Sequence, residues 1–270
     1  MNKVVKFGGS SLANAEQFKK VARIIQKDES RRYIIPSAPG KRTPDDTKVT
    51  DMLYSCYNLA IMEDEYEEEF EEQLSAIRAR YDDIIEGLGL AVDLTEEFKT
   101  IRTNFTRKAG RDYAASRGEY LNGILMAAYL GYEFIDAADV IFFDAAGNFD
   151  GEKTNAVLSA KLDETERAVI PGFYGSMPDQ KVKTFSRGGS DITGSIVARA
   201  IKADMYENWT DVSGFLIADP RVVKNPKAID VITYRELREL SYMGATVLHE
   251  DAIFPVRREG IPINIRNTNS

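Results

Sequence analysis

The ten residues Phe185-Ser186-Arg187-Gly188-Gly189-Ser190-Asp191-Ile192-Thr193-Gly194 hold the densest set of chemically useful groups in this chain. They follow a strand-like run, Val182 to Phe185, and open an apolar helical pattern of Ile196, Val197, Ala200 and Ile201. A small-residue turn between strand and helix leaves several backbone N–H groups unpaired and aimed at one place. The helix dipole is positive there, so the spot attracts anions. Two adjacent glycines let a ligand approach the backbone closely. Arg187 adds a planar fork suited to a carboxylate or phosphate, and Asp191 a carboxylate able to orient a lysine or Mg²⁺. An ordinary βα turn would explain the glycines and serine, but it requires neither the arginine nor the aspartate.

A second cradle of the same kind stands at the N-terminus. Val4-Val5-Lys6-Phe7 reads as a short buried strand, then Gly8-Gly9-Ser10-Ser11 as a turn, then a helix carrying Phe18, Val21, Ile24 and Ile25. Lys6 precedes the glycines and the Gly-x-x-x-x-Gly-Lys spacing is absent, so this is not a Walker A loop. Gly-Gly is common in βα turns, and a lysine at a strand end is often simply solvated.

These cradles need elements to position them. Tyr33-Ile34-Ile35 reads as a strand running into Ser37, followed by a polar loop from Lys41 to Lys48. Thr50-Asp51 is placed to cap a helix beginning near Met52. The acidic stretch 63–86 repeats Tyr66, Phe70, Leu74, Ile77 and Tyr81 every three or four residues, an amphipathic helix with a solvated acidic face. Helical pattern continues to about Lys108, with Gly87 and Gly89 as a break. Ser116-Arg117-Gly118-Glu119 precedes a helix with Leu121, Ile124, Leu125 and Ala128, which puts Glu119 near a helix N-terminus, where capping alone would explain it. Further strands are predicted at 140–144, 168–175, 182–185, 205–209 and 261–265, and a last helical region around 234–240 and 243–249. Alternating strands and helices predict a three-layer α/β/α fold with a largely parallel sheet covered on both faces.

Composition narrows the function classes. The 270 residues, 43% hydrophobic and 29% charged, suit one large α/β domain or two lobes with a well-buried core. The net charge of -8 argues against nucleic acid as the main partner, because phosphate backbones need a basic field. Cys56, the sole cysteine, falls in an apolar helical pattern, so it reads as core and no internal disulfide forms. No apolar run approaches the ~20 residues of a membrane span, and a reducing cytoplasmic setting is expected.

Lys6–Ser10, Ser37, Arg187–Asp191 and Thr210–Asp211 all fall at predicted strand ends, where open parallel sheets bind ligands. Two anion cradles and a lysine suit a triphosphate and a second, carboxylate-bearing substrate. There is a single histidine, and a carboxylate nucleophile needs no general base: with a pKa of ~3.9 a free aspartate side chain is already ionised at neutral pH. Such a reaction needs charge neutralisation and in-line alignment.

The segments Lys6-Phe-Gly-Gly-Ser-Ser, Ser116-Arg-Gly-Glu119, Ser186-Arg-Gly-Gly-Ser-Asp191 and Thr210-Asp-Val-Ser-Gly with Ala-Asp-Pro-Arg221 resemble those of aspartate kinases, of the amino-acid kinase superfamily. Val247-Leu-His249 and Ile265-Arg-Asn-Thr268 resemble the family's later segments, and the resemblance runs over essentially the whole chain in the right order. It implies a carbamate kinase-like fold of two lobes: roughly 1–180, binding aspartate and carrying a helical insertion at 51–110, and 181–270, binding nucleotide. It implies transfer of the γ-phosphoryl group of ATP, with Mg²⁺, to the side-chain carboxylate of L-aspartate, opening lysine, threonine and methionine biosynthesis. Lys6 would stabilise the transferring group, with Gly8, Gly9 and Ser10 lining the phosphates. Ser37 and Thr50 match substrate-side positions. Glu119 would hold the α-ammonium of aspartate and Arg187 its α-carboxylate. Gly188, Gly189 and Ser190 would sit where substrate meets phosphate, Asp191 would orient Lys6 or the metal shell, and Thr210, Asp211 and Arg221 would contact the nucleotide. No residue is assigned as a dedicated metal ligand. A homodimer is expected.

The chain departs from that pattern in places. Thr246 stands where many members have a lysine, and Leu216 where some have a nucleotide-contacting tyrosine, so the expectation is either a weaker nucleotide grip or a missing charge supplied by Lys224 or Lys227. The two ACT domains that usually follow and bind lysine or threonine are not found within these residues. Two other readings stand beside this one: another amino-acid kinase, acting on glutamate, acetylglutamate, carbamate or a nucleotide, and a non-catalytic sensor on the same fold. Glu119 beside Arg187 favours a free α-amino acid, and Lys6 together with Asp191 favours catalysis.

Overall fold

The structure, a computed structural model, describes all residues except 187, 212, 213, 217, 219–221, 228, 230, 231, 244–247 and 249. The described strands are β1 (Lys3–Phe7), β2 (Arg31–Pro36), β3 (Glu133–Phe134), β4 (Ala168–Val169), β5 (Tyr174–Ser176), β6 (Val182–Thr184), β7 (Met205–Thr210) and β8 (Ile263–Asn267). Six of them build one sheet in the order β3-β4-β2-β1-β7-β8, and every pair in it is parallel. β5 and β6 form a separate antiparallel hairpin.

Period-two alternation sends neighbouring side chains to opposite faces. Val4, Tyr33, Ile35 and Tyr206 enter one core, shared with α8 (described below by its range, Gly189–Ala200), and Val5, Phe7, Ile34 and Trp209 enter the other. The second face is covered by α1 (Ala15–Gln26), α2 (Val49–Ile61), α3 (Glu67–Leu88), α4 (Thr95–Thr106) and α5 (Arg111–Leu130). α1 starts where the Asn14 side chain accepts from the Gln17 amide at 3.0 Å, and it buries Phe18, Val21 and Ile25. α6 (Ala137–Val140), α7 (Gly151–Asp163) and α8 follow, then α9 (Tyr234–Tyr242) and α10 (Glu250–Glu259). Cys56 is fully buried, and burial pushes its thiol up to about 12, which agrees with a core role.

Several local expectations are corrected. Residues 140–144 are not a strand of the sheet: α6 occupies 137–140 under an Asp136 cap, and the Phe142 and Phe143 amides are taken by Thr154 Oγ1 and the Ser176 carbonyl. The 182–185 run is strand-like but pairs antiparallel with β5, off the main sheet. α2 begins at Val49, whose amide donates to the Pro39 carbonyl at 3.2 Å, so Thr50 and Asp51 sit inside its first turn and cap nothing. Gly87 lies within α3, and only Gly89, left-handed at φ 65°, ends it. α5 begins at Arg111, so Glu119 stands in mid-helix and the capping explanation for it falls. Of the predicted 243–249 helix most lies outside the described residues, and α10 was not foreseen.

Candidate active site

Strand register assembles the first pair. Lys6 lies opposite Asn208 across the β1–β7 ladder, and both side chains point to the face that α8 covers. There Lys6 Nζ meets Asp191 Oδ1 at 2.7 Å, and Asn208 Nδ2 donates to the same oxygen at 2.8 Å. The Tyr206 hydroxyl donates to the Asp191 carbonyl at 2.9 Å. Asp191 is therefore gripped by main chain and side chain in the first turn of α8. That helix approaches β7 closely because residue 194 is glycine: a Cβ there would lie 2.4 Å from the Tyr206 hydroxyl oxygen.

The turn before α8 is equally tight. Gly188 caps the helix in a left-handed conformation, φ 55°, with no side chain capping the first turn. Ser190 packs against Gly172, where a Cβ would lie 2.5 Å from its hydroxyl oxygen, and Thr193 Oγ1 accepts from the Phe173 amide at 3.0 Å.

The second group surrounds Glu119. It is 6% exposed, and the Ala38 backbone amide donates to its carboxylate. Oε2 is buried and makes no hydrogen bond among the described residues. Burial raises its pKa to about 8, against the opposing pull of the Ala38 and Glu119 amides and of the Arg117 charge. Beside it, Asn122 Nδ2 donates to the Ser37 carbonyl at 2.7 Å and the Tyr81 hydroxyl to the Gly118 carbonyl at 2.8 Å. α5 can lie this close to residues 37–40 because Gly118 has no side chain, a Cβ there falling 2.7 Å from Ala38 Cβ.

These parts border a cleft of about 460 Å³ at the carboxyl ends of β1, β2 and β7. Gly8, Gly9, Ser10, Ser37, Thr50, Glu119, Thr210 and Asp211, all singled out in the sequence, line it together. Lys6 and Asp191 stand at its edge, with Lys6 Nζ 3.6 Å from where a Gly8 Cβ would be. Gly188, Gly189, Ser190 and the exposed Lys227 do not line it. Arg187, Arg221 and Thr246 lie outside the described residues. A larger cleft, about 740 Å³, opens between α1 and β8 and contains none of the expected site residues.

Four further contributors escaped sequence reading. Asn208 was legible in principle, being two residues from Thr210 on the same strand face. The Ala38 amide and the cleft-lining Lys41 and Lys48 carried no motif. Among the described residues no group of three or more acidic, histidine or cysteine side chains could cage a metal.

Residues 1–267 match the family model described as the amino acid kinase family. The chain belongs to that family. It is 41% identical over 284 residues to aspartokinase 3 of Bacillus subtilis, an alignment covering 99% of this chain and 61% of that protein. Among solved structures it is similar to the aspartate kinase of Clostridium acetobutylicum, with a TM-score of 0.93 and 56% identity over 99% of this chain and 60% of that one. It is similar also to E. coli aspartokinase III in complex with aspartate and ADP, with a TM-score of 0.84 and 27% identity over 100% of this chain and 62% of that one. The kinase-family chain described here thus spans about three fifths of the length of these relatives. No described helix is long and apolar enough to cross a membrane.

Proposed function

We propose that the chain is the catalytic part of an aspartate kinase. It transfers the γ-phosphoryl group of ATP to the side-chain carboxylate of L-aspartate, giving 4-phospho-L-aspartate, the opening step toward lysine, threonine and methionine. A carboxylate oxygen forms the new bond to phosphorus, the bond between the γ-phosphorus and the β–γ bridging oxygen breaks, and ADP leaves with the electron pair.

The observation that carries this reading is Glu119. A buried carboxylate with an unpartnered oxygen at the edge of a strand-end cleft is a receptor for a cation. The α-ammonium of a free amino acid fills that need, whereas the acetylated amine of acetylglutamate or a nucleotide monophosphate does not. With Arg187 holding the α-carboxylate, the clamp leaves the side-chain carboxylate of aspartate free to react. Ser37 and Thr50 line the acceptor side.

Lys6 takes the catalytic role, stabilising charge on the transferring group, and Asp191 with Asn208 keeps its ammonium in place. The amides of Gly8, Gly9 and Ser10 and those of Gly188, Gly189 and Ser190 receive phosphate oxygens, while Thr210, Asp211, Arg221 and Lys227 serve the nucleotide. Residues 1–180, with Arg187, then supply the amino-acid side, and 181–270, with the turn at residues 8–10, the nucleotide side. Mg²⁺ fits as a companion of the phosphates: it keeps several waters and takes one or two carboxylates, and Asp191 and Asp211 are the carboxylates available. Bound with the nucleotide it would neutralise charge on the β- and γ-oxygens. The relatives named above are called aspartokinases, one of them solved with aspartate and ADP, which supports the same assignment. A cytoplasmic homodimer completes the proposal, checked by light scattering.

The test is ADP release measured with aspartate, glutamate, acetylglutamate, carbamate and UMP as acceptors. Turnover confined to aspartate is expected. Turnover with a different acceptor, or none with any, would overturn the reading.

A further inference from the structure

Arg80 lies on α3, outside the lining of the cleft, and is 4% exposed. Its Nη2 donates to the Gly40 carbonyl at 2.8 Å and its Nη1 to the Thr47 carbonyl at 2.9 Å, so one guanidinium ties both ends of segment 40–47. Nη1 also lies 3.4 Å from Asp46 Oδ2. Asp46 in turn accepts from the Arg42 amide at 2.9 Å and from Arg42 Nε at 2.8 Å, which closes the segment on itself. The same stretch of chain presents Gly40, Lys41, Lys48 and Thr50 to the cleft.

α3 has no need of a buried cation for its own adhesion. Phe70, Leu74, Ile77, Tyr81 and Ile84 already bury its apolar face. A buried guanidinium carries a desolvation penalty, visible as a pKa drawn down by burial, so it returns that cost only through what it holds. What it holds is main-chain carbonyl at both ends of the loop. Besides Arg80, the loop is fastened by the Gly40 amide to the Gly9 carbonyl at 2.8 Å, the Val49 amide to the Pro39 carbonyl at 3.2 Å and the solvent-exposed Arg42–Asp83 ion pair at 3.8 Å.

We propose that Arg80 is a positioning residue for the acceptor half of the cleft. It clamps segment 40–47 so that Thr50, Lys48 and the Ala38 amide on Glu119 keep the geometry in which the amino-acid substrate binds. This rests on reading the cleft as an amino-acid pocket.

Three variants test it: Arg80→Lys, which keeps the charge but supplies fewer fixed donors, Arg80→Met, and Asp46→Asn. Arg80→Lys is expected to raise KM for aspartate by about tenfold, the size of one lost charge-assisted hydrogen bond. It should leave kcat within about threefold and KM for ATP unchanged. Arg80→Met should lie further along the same axis, and lysine should rescue it in part. Hydrogen exchange at 40–50 should quicken in all three variants while Val5 and Phe7 in β1 stay protected. Equal rises in both KM values, a loss in kcat alone, or unchanged exchange at 40–50 would each overturn the clamp. Should Arg80→Met fail to fold, the other two variants decide. If the wild-type protein turned over no aspartate, the proposed function would fall, while the exchange measurement would still decide whether Arg80 holds the loop.

Discussion

Raising the pH from 6 to 8 should tighten aspartate binding steeply, because the ligand-free enzyme holds a proton that its substrate must displace. Burial lifts the Glu119 carboxyl from 4.5 to about 8. Only the ionised form attracts an ammonium group, and that form is about 1% of the enzyme at pH 6, about 10% at pH 7 and half at pH 8. Apparent affinity scales with the competent fraction, so KM for aspartate should fall about 50-fold between pH 6 and 8 while KM for ATP stays level. Glu119→Gln, nearly isosteric, should bind aspartate weakly and without this slope. Stability moves the opposite way. The folded state keeps a proton that the unfolded state loses above pH 4.5, so ligand-free stability falls as pH rises through that window, by on the order of 4 kcal/mol at pH 8. Glu119→Gln removes this loss, so at pH 8 it should melt higher than the wild type despite binding worse. Initial rates from coupled ADP release and thermal melts at matched pH read both effects. A KM for aspartate that is flat from pH 6 to 8, or a Glu119→Gln variant that keeps the wild-type slope, would refute the reasoning.

Three other outcomes are expected. Lys6→Ala should lower kcat by roughly 10²–10³-fold, the usual effect of removing one preorganised donor, with aspartate binding by calorimetry nearly intact, since Asn208 still holds Asp191. Gly9→Ala would place a Cβ 2.8 Å from the Ala38 carbonyl oxygen, a clash between backbones, and should cost ~1–3 kcal/mol in urea unfolding and weaken both substrates. Glu207 is fully buried and receives Arg31 Nε at 2.8 Å and Trp209 Nε1 at 2.9 Å. Glu207→Leu, which strands the buried Arg31, should therefore cost about 3–5 kcal/mol in urea unfolding, and Arg31→Met added to it should recover part of that.

The parallel sheet and the strand-end location of the site were legible because β1, β2 and β7 are short runs rich in β-branched and aromatic residues that lead into glycine, serine or threonine. Lys6 and Asp191 were legible as groups, and strand parity joins them: Lys6 and Asn208 face α8 together. Residues 140–144 looked like a strand by composition, but period alone cannot say where a backbone amide finds its acceptor, and here Thr154 and Ser176 take them. Glu119 was placed at a helix start because Ser116 and Gly118 read as a break, whereas Gly118 is there to let α5 touch Ala38. The value of Glu119 comes from burial contributed by a loop some 80 residues earlier, which no local pattern records. Arg80 was invisible for the same reason: its partners are carbonyls, and every residue has one.

β1 occupies the middle of the sheet, flanked by β2 from the start of the chain and by β7, whose first pairing residue, Met205, lies opposite Lys3. During synthesis, Val4, Val5 and Phe7 emerge well before β7, so one edge of their strand stays unpaired until some 200 residues have followed. At ~5–20 residues per second that is about 10–40 s with an apolar edge open to other chains. For that interval the growing chain is open to edge-to-edge aggregation. Lys6, the third side chain beyond Lys3 on that strand, reaches Asp191 and Asn208 only when the sheet closes.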